Sequence, residues 1–266
     1  MTWLNLHLHP LLSWSLLADL SLGMALGAVG GVFGIGGGLI AIPVLALGFG
    51  LDQQLAQGTA LVMIAPNVML GFWRYKQRNP IDLKDASWLG GASVASTWLV
   101  AHWATRLDAG QLRWAFAAFL VGLSGLLWWG ARKRAHQAEA AASLHAAAAP
   151  LSRPGLGALG LLSGVFSGLF TVGGGLVTVP ALTTVFGVRR QTMAQGLSLA
   201  AVAPGALVAL FTYASAGQVD WTRGLPLAAG GLLSISWGVA LAHRLPERLL
   251  GQCFCALLLV AAAMMA

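Results

Sequence analysis

Charge is what this 266-residue sequence has least of. Asp, Glu, Lys and Arg together make up 9% of it, where a soluble domain carries about 25%. That scarcity excludes a soluble enzyme and a disordered chain. Cysteine is also scarce: the two residues, Cys253 and Cys255, exclude a disulfide scaffold. They point to nearly opposite sides of a helix, so no bridge between them is expected and packing is the simpler role. Alternating apolar and polar residues are missing as well, which argues against an outer-membrane barrel. No Lys or Arg precedes Arg74, so the N-terminus lacks the basic region of a cleavable signal peptide and is expected to be retained. No GxxxxGK[ST] loop occurs, so nucleotide hydrolysis by this chain is not expected.

What remains is apolar. Hydrophobic residues make up 58% of the chain, with 35 glycines and 11 tryptophans, and mean hydropathy is +0.77. Several runs approach the ~20 residues that cross a bilayer as helix. The sequence therefore predicts an all-α polytopic membrane protein in a lipid bilayer. The net charge of +7 sits in short loops between apolar runs, which reflects topology rather than nucleic-acid binding.

The chain also repeats itself. A shift of 137 lays Leu22–Gly50 on Leu159–Gly187 with 13 of 29 positions identical, the triplet Gly36, Gly37, Gly38 falling on Gly173, Gly174, Gly175. A shift of 138 then pairs Gln57-Gly58 with Gln195-Gly196, Pro66 with Pro204, Tyr75 with Tyr213 and Asp82 with Asp220. Three regions follow: a first transmembrane repeat over 1–130, an Ala-rich basic cytoplasmic linker over 131–154, and a second repeat over 155–266. The first repeat divides into apolar segments at 12–33, 38–50, 53–75, 84–103 and 111–130. The second divides at 155–171, 174–187, 191–214, 224–242 and 248–265. Of these ten segments, 38–50 and 174–187 are too short to span alone, so eight to ten membrane helical segments are expected. If each short segment folds back after its glycine triplet, each repeat crosses an odd number of times and the halves are inverted. Inversion places 12 of the 15 basic residues inside and 3 outside. A parallel arrangement gives 9 and 6, so the positive-inside bias favours inversion.

Gly23, Gly27, Gly31 and their copies Gly160, Gly164, Gly168 form small-xxx-small ridges suited to close helix packing. The triplets differ, because three glycines abolish helical preference. Irregular backbone survives in a membrane only inside protein or beside a cavity. Two short helices starting there would present N-terminal N–H groups to a shared centre, an arrangement suited to anions. Gln57, Gly58, Thr59 and Gln195, Gly196, Ser198 open the following helices. Their amides and hydroxyls either donate to an oxyanion or cap and tie helices. Pro43, Pro66, Pro180 and Pro204 mark kinks or hinges. Asp82 and Asp220 read as caps. Asp19, the only acid well inside a proposed span, has Leu156 as its counterpart. It either carries a coupling proton or, with a helix start near Ser21, lies at the interface, the favoured reading. Trp14, Trp73, Trp88, Trp103, Trp128, Trp129 and Trp221 cluster near segment ends, as an interfacial belt does. His7, His9, His136 and His145 lack metal-site partners, and no metal or cofactor is expected. Gly122-Leu123-Ser124-Gly125 matches the GxSG pattern of intramembrane serine proteases. His243 would have to serve as the base, yet it borders Arg244 at a segment end.

Gly-Ile-Gly-Gly-Gly-Leu-Ile-Ala-Ile-Pro (34–43), followed by Ala-Gln-Gly-Thr-Ala-Leu (56–61), resembles the TauE/SafE sulfite-exporter family. Thr171–Pro180 and Ala194–Leu199 repeat the pattern. Departures fall at Ala60, Leu197 and Thr171, where that family usually carries serine, threonine and glycine. The resemblance implies a multi-pass bacterial inner-membrane transporter, not an enzyme, that moves sulfite, organosulfonates or related sulfur anions by alternating access. A non-transporting membrane subunit and the serine protease are the alternatives.

Overall fold

The computed structural model describes residues 10–140, 153–172, 174–188 and 190–265. Gly173, Arg189, His7, His9, His145 and the 141–152 part of the linker lie outside the described residues. Ten α-helices and no strand occur among the described residues: α1 (Pro10–Phe33), α2 (Gly38–Pro43, continued by the π-turn Val44–Gly48), α3 (Gln53–Arg78), α4 (Leu83–Ala104), α5 (Ala109–Ala140), α6 (Arg153–Phe170), α7 (Gly175–Thr184), α8 (Gln191–Ser215), α9 (Trp221–Ala242) and α10 (Glu247–Met265). Among the described residues four stretches are long and apolar enough to cross a membrane: Trp14–Phe33, Gln53–Arg78, Gln191–Ser215 and Trp221–Ala242. Boundaries follow the sequence segments within a few residues, except that α5 runs on to Ala140, into the expected linker.

The two glycine ridges each pack on a helix of the other repeat. A Cβ at Gly23 would strike Leu227, one at Gly27 would meet Gly231, and one at Gly31 would meet Ile235. Only glycine permits this approach of α1 to α9, and the rising register makes the pair parallel. Gly160, Gly164 and Gly168 face Leu89, Ser93 and Thr97 in the same way, so α6 and α4 are also parallel. Small residues allow such contact where lipid gives no hydrophobic drive between helices.

Helix α3 runs antiparallel to α8, with Tyr213 donating to Gln57 and Tyr75 donating to Gln195, each at 2.9 Å. It runs parallel to α9, since Val62 meets Gly224, Asn67 meets Gly231 and Gly71 meets Ile235. Thus α1, α3 and α9 point one way, while their sequence counterparts α6, α8 and α4 point the other. Arg74, Lys76, Arg78, Lys84 and Arg244 gather at the end where α3 finishes, an end defined by Asn79 donating to His243 at 3.1 Å. Arg106, Arg113 and Arg223 lie at the opposite end, where Gln54 donates to the Leu107 carbonyl at 2.6 Å.

Several smaller expectations resolve. Asp82 and Asp220 cap α4 and α9 by accepting from the Lys84 and Thr222 amides at 2.9 and 3.0 Å. Trp14, Trp73, Trp88, Trp103 and Trp221 are exposed near helix ends, where an aromatic belt would sit. Both cysteines are free, and Cys253 is exposed rather than packed. Asp19 differs in part from expectation. Because α1 begins at Pro10 rather than near Ser21, Asp19 lies inside the helix and is buried, yet it is level with the first turn of α9, 3.6 Å from the Arg223 guanidinium at that end of the bundle.

Candidate functional site

Both chain breaks lie at the centre of the helix bundle. After Phe33 the chain turns through Gly34, Gly36 and Gly37, all with positive φ of 69°, 71° and 90°, a region L side chains avoid. Gly36 abuts Ile64 and Val68, near the middle of α3. From there α2 runs back toward the end where α1 started, bringing Phe49 beneath the Arg223 guanidinium at 4.2 Å. The segment is therefore a hairpin and not a second span. About 15 Å of helix in α2 with its π-turn, and as much in α7, covers half of a ~30 Å bilayer core.

The second break meets the first. A Cβ on Gly38 would lie 3.3 Å from the Val172 Cα, and one on Gly175 would lie 3.3 Å from the Gly34 carbonyl and 2.9 Å from Ser198 Oγ. A Cβ on Gly174 would overlap Ser163. Thr171 occupies the place of Gly34 and keeps its left-handed conformation at φ 55°, its hydroxyl donating to the Phe170 carbonyl at 2.8 Å. Helix α7 then starts with the Val177 and Thr178 amides and the Thr178 hydroxyl converging on the Gly174 carbonyl. Gly36, Gly37, Gly38, Gly174 and Gly175 are thus gathered in one buried region, together with Ser198.

The paired glutamines are fully buried and serve as ties across the repeats. Gln57 Oε1 accepts from Tyr213, whereas its Nε2 has no partner among the described residues. Gln195 Oε1 accepts from Tyr75, and its Nε2 donates to the Val32 carbonyl at 3.1 Å. Tyr75 Oη is also 2.9 Å from the Gly31 carbonyl, so this knot fastens the last turn before the first break. Gly58 and Gly196 are close approaches, to Gln218 and to Ile81 with Tyr75. Thr59 Oγ1 accepts from the Asp220 amide at 2.9 Å, a tie that Leu197 cannot make in the other half. Pro43, Pro66, Pro180 and Pro204 all sit within helices; each removes a backbone donor, and Pro43 leads directly into the π-turn.

The protease alternative finds no support. His243 Nδ1 donates to the Val239 carbonyl at 2.7 Å and its Nε2 accepts from Asn79, which leaves neither nitrogen for Ser124.

The chain matches the family described as Sulfite exporter TauE/SafE over residues 20–265. It belongs to that family. A "Probable membrane transporter protein" of Xylella fastidiosa (strain 9a5c) is 30% identical over 224 residues, covering 84% of this chain and 81% of the relative. One of Bacillus subtilis (strain 168) is 23% identical over 242 residues, covering 85% and 88%. No solved structure matches. This TauE/SafE protein is a membrane transporter.

Sequence reasoning missed Tyr75 and Tyr213 as partners of the glutamines, although their pairing in the repeat was visible. It also passed over the buried Asn67, Ser93, Thr97, Ser163 and Ser167. The signal was available: a polar residue inside an apolar run is costly unless it is used.

Proposed function

We propose that this TauE/SafE protein is a secondary transporter moving sulfite, organosulfonates or related sulfur-containing anions across the bacterial inner membrane by alternating access. Its two halves, 1–130 and 155–266, act as inverted repeats joined by a cytoplasmic linker over 131–154. The opposite directions of corresponding helices support inversion, and the separation of basic residues between the two ends supports the orientation. The observation that carries the reading is the meeting of the two breaks, Gly38 with Val172 and Gly175 with Gly34. Broken helices paired at mid-depth are how secondary transporters build a substrate site.

Mechanistically, no basic side chain lies at that centre among the described residues. Anion binding then rests on backbone N–H groups of Gly36–Gly38, Gly174 and Gly175, the positive end of α7, and the Ser198 hydroxyl. Gln57, beside Tyr213 and roughly 20 Å along α3 from the level of Ser198, belongs to the frame around them, as do Gly58, Thr59, Gln195 and Gly196. Rocking one repeat against the other about the Pro43, Pro66, Pro180 and Pro204 positions would open the centre to each side in turn. With no nucleotide motif in this sequence, the energy comes from an ion gradient, the substrate gradient or another subunit.

The test is flux into proteoliposomes holding the purified full chain, across a panel of sulfur oxyanions with and without a pH gradient. Saturable sulfite or sulfonate flux is expected. Absence of flux for every sulfur anion overturns the reading and favours a non-transporting subunit.

A further inference from the structure

Five buried hydroxyls form a line between α4 of the first repeat and α6 and α8 of the second, and four of them serve no tie or cap. Ser93 and Thr97 lie on α4, Ser163 and Ser167 on α6, and Ser198 on α8, all at 0% exposure. The Oγ atoms of Ser93, Ser163, Ser167 and Ser198 have no hydrogen-bond partner among the described residues. They converge on glycines. A Cβ at Gly205 would lie 3.0 Å from Thr97 Oγ1, 3.2 Å from Ser93 Oγ and 3.5 Å from Ser167 Oγ. One at Gly175 would lie 2.9 Å from Ser198 Oγ, and one at Gly174 would overlap Ser163 Oγ. Since Ser163 and Ser167 are one turn apart on α6, the hydroxyls lead from the start of α7 to Gly205.

The pseudo-equivalent place, where α1 and α3 meet α9, has nothing like it. Its counterparts of Ser93, Thr97, Ser163, Ser167 and Ser198 are Gly231, Ile235, Leu26, Gly30 and Ala60. At the place of Gly205 it carries Asn67, whose amide fills the space beside Gly231. The row is therefore not packing inherited by both halves. Unpartnered hydroxyls are unfavourable in a protein interior, so four in one row signal a ligand that accepts from them. Thr97 donates to the Gly164 carbonyl at 3.1 Å, which leaves four free protons. The positive end of α7 beside Ser163 and Ser198 selects an anion over a cation.

We propose that Ser93, Ser163, Ser167 and Ser198, running from the start of α7 to Gly205, line a track for one small oxyanion with several acceptor oxygens, which accepts from neighbouring members of the row. The site starts where the two breaks meet and extends between α4 of the first repeat and α6 and α8 of the second. This deepens the transporter reading above and rests on it for the sulfur class of the anion.

The experiment measures sulfite binding to the full chain in nanodiscs by calorimetry, with sodium and choline salts, beside proteoliposome flux. Gly205→Asn copies the pseudo-equivalent arrangement into the row. It is expected to raise Kd and cut flux at least tenfold while the protein stays folded and monodisperse. Ser93→Ala and Ser167→Ala remove one donor each without adding bulk and are expected to raise Kd about tenfold, whereas Asn67→Ala leaves Kd unchanged. Sulfite binding by Gly205→Asn and both serine variants as tight as wild type overturns the site while the transporter reading stands. If the wild type instead binds another oxyanion, such as phosphate or sulfate, and these variants lose it, the site stands and the sulfur reading fails. Binding that needs sodium but no particular anion, or no anion binding at all, overturns the site.

Discussion

Gly37→Ala and Gly50→Ala differ only in what surrounds the added methyl, so together they measure how tightly the first break is held. Both glycines have positive φ, 90° and 66°, and an L residue there costs about 1–2 kcal/mol. Any gain from stiffening the unfolded chain is the same for both. At Gly50 no atom lies within 4 Å of the new Cβ, so the conformational cost is the whole effect. At Gly37 the Cβ would lie 2.7 Å from the Leu26 carbonyl oxygen, 3.2 Å from its carbon and 3.2 Å from Met63 Cε. The Leu26 atoms are helix backbone and cannot swing away, and overpacking of that kind adds about 1–3 kcal/mol. Gly37→Ala is therefore expected to lose about 2–5 kcal/mol against about 1–2 for Gly50→Ala. Reversible unfolding in mixed micelles, followed by tryptophan fluorescence, reads the difference. In proteoliposomes Gly50→Ala keeps its flux and Gly37→Ala loses it. Equal destabilisation by the two variants refutes the claim that the break is clamped against α1.

The tyrosine–glutamine ties are expected to act as units. Tyr75→Phe strands buried acceptors on Gln195 and costs about 1–3 kcal/mol; adding Gln195→Leu costs less than the sum of the singles in a double-mutant cycle. Asp220 gives a pH test. Burial pushes its carboxyl up, but hydrogen bonds from the Thr222 hydroxyl and the Arg223 and Thr222 amides, with the Arg223 charge, hold it below its ordinary value of 3.8. A lowered folded value means the stabilisation is present above 3.8 and fades as pH falls through the folded value. Asp220→Ala is expected to lose about 1 kcal/mol at neutral pH, with the gap to wild type closing in acid; a gap that widens below pH about 4 contradicts the assignment. Thr171→Asn keeps a short polar side chain in the left-handed region that asparagine tolerates better than a β-branched residue. Thermal unfolding is expected to show it at least as stable as wild type.

Helix existence was legible because apolar length alone marks it. The ten segments read from the sequence reappear as α1 to α10, and the glycine ridges found their partners as expected of close-packed membrane helices. Which helix meets which was not legible. Nothing local in Gly27 names Gly231, and the crossing of α1 onto α9 and α6 onto α4 depends on the whole bundle. The glutamines were singled out as potential donors, yet Gln195 spends its amide on Val32 because Tyr75 draws its carbonyl across the repeat. Ser93, Ser163 and Ser167 were hidden by their setting: among so many Ala and Gly residues a serine reads as one more small packing residue. The start of α1 was read too late because a polar N-terminal stretch masked a helix that begins at Pro10, although Asp19 still lies level with Arg223 in the first turn of α9.

Repeated glycines made the halves look equivalent, but the polar residues around the breaks make them unequal. Gly30 lets the first break fold back against α1, since a Cβ there would strike Gly37, whereas its counterpart Ser167 faces Gly205 instead. Thr59 ties down Asp220, whereas its counterpart Leu197 is buried among apolar residues. Asp19 and Arg223 pair at 3.6 Å, where the other half has Leu156 and Asp85. A transporter built from two copies needs the same hinge twice, but it needs only one place for a single anion to rest. On the proposed mechanism, a hinge needed in both halves accounts for the matched glycines and prolines. Freedom to specialise explains why hydroxyls accumulate on one side of the centre while the other side is filled by Asn67.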